Sequence, residues 1–153
     1  MLSLSFLEIV CRVLPESLII LFGMYTFSRT EFNMKNYINS SIVLVICIYI
    51  IRKLPINFGV HTILNILILV VISHILNNID VISSVKIAIK LSILQFFSEG
   101  LNILFIKNIL NKNIVYIFND SYMKVMYGLP SLVIFIALIS LIRYGFGRES
   151  GEF

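Results

Sequence analysis

The sequence predicts an all-α fold, a polytopic bundle of membrane-spanning helices, and three observations carry that prediction. The chain of 153 residues is 59% hydrophobic and only 13% charged, whereas a soluble domain is about half apolar and about a quarter charged. Its apolar runs approach the length of about 20 residues that crosses a hydrocarbon core about 30 Å thick. Brief polar turns separate them, and the best defined is RKLPINFGVHTILN, from Arg52 to Asn65. With a mean hydropathy of +0.99, so small a chain has no interior large enough for its Ile and Leu side chains. The surplus must face lipid.

Five runs qualify as spans: Leu4 to Phe27, Tyr37 to Leu54, Phe58 to Leu76, Ser84 to Ile106 and Leu129 to Phe146. Helix is the expected state because backbone groups in lipid must be paired within their own segment. The runs do not alternate in polarity as the strands of a transmembrane barrel would. Together they predict one transmembrane domain over residues 1–146. The tail at 147–153, GRESGEF, is polar and Gly-rich and has the look of an appended linker.

The first run is interrupted by Glu8, Arg12 and Glu16, which at i, i+4 and i+8 share one helical face. Pro15 removes a backbone donor and disfavours helix at Leu14. Two readings stand. A kinked helix crosses with its charges turned into the bundle, or residues 1–14 lie on the membrane surface and four spans remain. With no basic start and with those charges, the N-terminus reads as retained rather than as a cleaved signal.

The second run, SSIVLVICIYII at its centre, is nearly free of polar groups. The third opens at the polar turn and carries Asn57, His61 and Asn65 on one face; Asn77 to Asp80 ends it. The fourth begins with Lys86 and Lys90, whose stems can snorkel to the interface. Residues 107–128, KNILNKNIVYIFNDSYMKVMYG, are too polar to cross and too apolar for a free loop. They predict an interfacial amphipathic helix, with Gly128 and Pro130 marking the start of the last span.

The net charge of +4 does not point to nucleic acid. The basic residues sit at the ends of apolar runs, where they meet lipid headgroups. They divide almost evenly between the two ends, so the positive-inside rule chooses no orientation. Cys11 and Cys47 both lie in apolar runs with no metal-ligand spacing. No phosphate loop, HExxH, CxxC or GxSxG is present, and no metal or cofactor is expected. A Cys–His peptidase also lacks support. Cys47 is mid-span, where a thiolate is disfavoured, and although Arg12 would help a thiolate at Cys11, no group orients His61. A nucleophile, base and orienter do not appear together, so the chain reads as a non-enzyme.

The fourth run carries the strongest site signal. Ser92, Gln95, Glu99 and Asn102 are spaced 3, 4, 3 and form one polar stripe. A carboxylate at bilayer depth costs at least about 2.5–3.5 kcal/mol, so Glu99 should face the bundle interior. It reads as a ligand contact, a proton site or a polar gate, or else as a hydrogen-bonded residue that fixes helix packing. His61, Asn65 and the row Glu8, Arg12 and Glu16 are the candidate partners.

The polar turn RKLPINFGVHTIL, the span with a central Ser-Glu-Gly, and FNDSYMKVMYGLPSL before the last helix have a further meaning. With these motifs the chain resembles an uncharacterised family of small Firmicutes membrane proteins. Its members look like the membrane-embedded input part of agr-type or sporulation-type sensor kinases, without the kinase. The resemblance runs from Glu8 to about Arg143 and carries no catalytic residue. It implies a sensor or regulatory subunit in the cell membrane of a bacterium, multi-pass and non-catalytic, acting through a signalling partner or as a homo-oligomer. The alternative is a small transporter or substrate-binding subunit that needs an energising partner.

Overall fold

The computed structural model describes residues 9–55, 58–108 and 121–149. Five of its helices are long and apolar enough to cross a membrane. We number the helices α1 Leu14–Ser28, α2 Met34–Lys53, α3 Phe58–Asn77, α4 Val81–Asn108 and α5 Ser121–Glu149. A π-helical turn, Ile9–Val13, leads into α1 and brings the first candidate span to Ile9–Ser28. No strand occurs among the described residues. The all-α architecture read from the sequence, with five helices long and apolar enough to span a membrane, is therefore the one observed. The described residues fall into two compact units, divided between Ser92 and Ile93, within α4.

In the first unit the helix entry solves a proline problem. Pro15 lies in the first turn of α1 and has no N–H to donate. The wider π turn before it accommodates the ring without ending the helix. Glu8 lies outside the described residues, so the expected row from Glu8 to Glu16 is described only for Arg12 and Glu16.

Local chemistry sets the next boundaries. The Asn33 side chain accepts hydrogen bonds from the backbone N–H of Lys35 at 3.0 Å and of Asn36 at 3.4 Å, capping α2. The helix therefore starts at Met34, ahead of the Tyr37 expected from hydropathy alone. Arg29 ends α1 in the left-handed conformation, with φ 55°. Asn78, with φ 53°, makes the same reversal after α3, a conformation that Asn tolerates better than most residues. Asp80 Oδ2 then accepts from the N–H of Ile82 at 3.1 Å and of Ser83 at 3.3 Å. That cap starts α4 at Val81 rather than at Ser84.

The core of the first unit is aliphatic, with Leu21, Met24, Leu44, Leu69, Ala88 and Leu91 buried. The opposite faces of the same helices expose Ile42, Ile46 and Ile50 on α2, and Ile63, Leu67 and Val71 on α3. Each set repeats every four residues along one helix side. That is the inverse of a water-soluble surface, and it is what lipid requires.

The second unit departs from expectation at α5. Gly128 and Pro130 do not mark its start. The helix begins at Ser121 and passes through both, with Pro130 in its interior. It also continues to Glu149, into the polar tail expected at 147–153. An interior proline is tolerated where neighbouring groups satisfy the carbonyls it strands. The expected interfacial helix lies largely outside the described residues, at 109–120. Its last part, from Ser121, belongs to α5.

Candidate functional site

The buried seam of α4 runs through Ser84, Ile87, Ala88 and Leu91 to Ser98, Asn102 and Ile106. The sequence-predicted stripe overlaps this seam without coinciding with it. Asn102 is buried, at 5% exposure, and so is Ser98, which the stripe omitted. Ser92, Gln95 and Glu99 are half-buried. Glu99 follows Ser98 by one residue, about 100° further round a helix of 3.6 residues per turn, so it flanks the seam. Neither Glu99 nor Gln95 is without an interaction partner. Ser92 donates to Ala88 O at 2.9 Å and Ser98 to Gln95 O at 2.8 Å, both within the helix.

Asn102 does something different. Its Nδ2 donates to the Tyr127 carbonyl at 2.7 Å. Pro130 cannot donate to Met126 O, the carbonyl four residues before it. Asn102 meets the neighbouring carbonyl in that same turn, and Ser131 Oγ donates to the next one, Gly128 O, at 2.6 Å. Two side chains thus supply donors where the proline removes one. Asn102 Oδ1 is buried with no hydrogen-bond partner.

The other expected partners divide. Glu16 is buried, at 7% exposure, and Arg12 is half-buried; each of the two has a partner. His61 and Asn65 lie four residues apart on α3, with His61 Nδ1 and Asn65 Oδ1 buried and unpartnered. Cys11 and Cys47 are both free thiols, half-buried. Among the described residues no group of three or more His, Cys, Asp and Glu side chains could hold a metal ion.

Among the described residues the densest polar constellation lies elsewhere, in the first unit. Asn77, at 5% exposure, is the last residue of α3. Its Oδ1 is 2.8 Å from the Tyr25 hydroxyl of α1 and 2.8 Å from Ser40 Oγ of α2. Tyr37 of α2 donates to Leu18 O of α1 at 2.8 Å. The rings of Tyr25, Phe32 and Tyr37 meet one another with centroids 5.1 to 6.1 Å apart. Lys90 Nζ stands 4.5 Å from the centroid of the Phe27 ring. Hydropathy had assigned Asn77 to a turn. The available signal was a long-range one, an Asn ending one run and Tyr and Ser near the ends of two others.

No protein-family model, curated protein or solved structure matches this chain.

Proposed function

We propose that this chain is a non-catalytic sensor or regulatory subunit of a bacterial cell membrane. It acts through a second membrane protein or a second copy of itself. The observation that carries the reading is the outward face of α4 around Gly100. Ser98 is buried, Glu99 half-buried and Gly100 exposed, so three consecutive residues sweep from inside to outside. Apart from its chain neighbours and the backbone of its own helix, nothing lies within 4 Å of where a Gly100 Cβ would be. Ile93, Phe96, Phe97 and Leu104 surround it on the same face, all exposed. A glycine notch rimmed by large apolar side chains, with a carboxylate on its flank, suits the close approach of another helix.

The resemblance to kinase input modules points the same way. Two basic side chains lie over aromatic rings, Lys53 Nζ 4.5 Å from the Tyr49 centroid and Lys90 Nζ 4.5 Å from that of Phe27.

The test is native mass spectrometry of protein extracted in a mild detergent. Wild type should carry a second copy or a partner protein. Gly100→Leu should release it while the helical melting curve stays unchanged. A monomer that retains a small molecule, and loses it in Glu99→Gln, would favour the transporter reading instead.

A further inference from the structure

Among the described residues Ser17, Ser28, Ser41, Ser92, Ser98 and Ser131 share one habit. Each donates its hydroxyl to a carbonyl three or four residues earlier in its own helix. That carbonyl is always within reach of a helical serine through rotation about one bond. Ser73 and Ser84 depart from the habit. Both are fully buried, at 0% exposure, and neither Oγ has a hydrogen-bond partner. A serine with no access to solvent that declines its own carbonyl is turned toward something else.

Their placement says where. Ser73 precedes Asn77 by one helical turn on the same face of α3. Ser84 follows Asp80 by one turn on α4. The short turn 78–80 joins the two helices, and Ile79 N–H folds back onto Ser73 O at 3.1 Å. The two serines thus lie on the two helices that this turn joins, each about one helical turn from it. Asn77 adds a third unmatched atom, its buried Nδ2.

We infer that Ser73, Asn77 and Ser84 hold a buried water that completes the Tyr25–Asn77–Ser40 network. The donor and acceptor inventory selects water over an ion. Each hydroxyl can donate or accept, and the amide offers a donor. The amide N–H repels a cation, and the three groups themselves carry no charge to hold an anion. Ser40 strengthens the choice. It has one proton and two oxygens in reach, Asn36 O at 2.6 Å and Asn77 Oδ1 at 2.8 Å. If Ser40 satisfies Asn36, the Asn77 amide turns over and leaves its oxygen unmatched in place of its nitrogen. Water answers either orientation, and three polar neighbours lie within the two to four that a buried water takes. Asn77 ends α3 and Tyr25 lies close to the end of α1, so the site is near the edge of the apolar layer, where water can enter.

The test uses the full chain in liposomes. Solid-state NMR transfer of magnetisation from water should reach the Asn77 side-chain amide and the Cβ of Ser73 and Ser84. It should build up several-fold faster there than at buried Leu44 and Leu69. Ser73→Ala should slow the transfer at Ser84. In a double-mutant cycle, the loss in Tm for Ser73→Ala with Ser84→Ala should fall short of the sum of the singles, because removing either hydroxyl already disrupts the shared water. Build-up no faster than at Leu44, strictly additive losses in Tm, or a co-purified polar molecule in place of water would overturn the inference.

Discussion

Two asparagines, equally buried at 5% exposure, do different work in the two units. Asn77 joins side chains, taking hydroxyls from Tyr25 of α1 and Ser40 of α2. Asn102 joins a side chain to a backbone, giving its amide to Tyr127 O in the turn that Pro130 weakens. The first holds three helices through chemistry that only a few residue types can supply. The second ties α4 to α5 through a single donor, on the turn that Pro130 weakens. Inside a membrane protein, a buried polar residue can thus knit several helices through side chains or support the backbone of one neighbour. Burial alone does not tell the two apart.

The difference predicts a ranking. Asn77→Leu should be the most damaging single change, because it removes two interhelical hydrogen bonds and leaves the buried Tyr25 hydroxyl without its acceptor. A loss of about 1–3 kcal/mol is expected, measured by unfolding in mixed micelles. Asn102→Ala should cost about 1 kcal/mol in the same assay, and less in a Pro130→Ala background, where the restored N–H bonds Met126 O and the turn depends less on Asn102. An equal cost in both backgrounds would show that the Asn102 bond acts independently of the proline. Tyr25→Phe keeps the ring contacts with Phe32 and Tyr37 and loses one hydroxyl, so about 0.5–1 kcal/mol is expected. Ser17→Ala removes only a bond to Leu14 O within one helix and should stay within about 0.5 kcal/mol of wild type.

The residues that sequence reading found, and those it missed, divide along physical lines. Hydropathy placed all five spans because lipid imposes length and apolarity locally, residue by residue. It missed the starts of α2 and α4 because Asn33 and Asp80 extend those helices through side-chain caps, which hydropathy does not see. It read Pro130 as a boundary because a proline ends a helix in water, where a stranded carbonyl finds solvent. Here Asn102 and Ser131 meet the neighbouring carbonyls. The stripe on α4 was legible as a pattern, and it held Asn102. It was drawn on the flank that carries Glu99 rather than along the buried seam, so Ser98 escaped it. The Asn77 constellation was not legible at all. Its members are 37 and 52 residues apart in the chain, and no local pattern announces a contact over such separations.

All of these comparisons assume that each long helix crosses the bilayer, and single-cysteine accessibility in sealed vesicles tests that most directly. Cys11 and Cys47 are first replaced by Ala, and reporters are placed one at a time at Ser3, Lys35, Asn78, Lys112 and Ser150. Five crossings require Ser3 and Lys112 to react from one side of the membrane, and Lys35, Asn78 and Ser150 from the other. Labelling of Ser3 and Ser150 from the same side, or of Asn78 together with Lys112, would contradict the five-span arrangement.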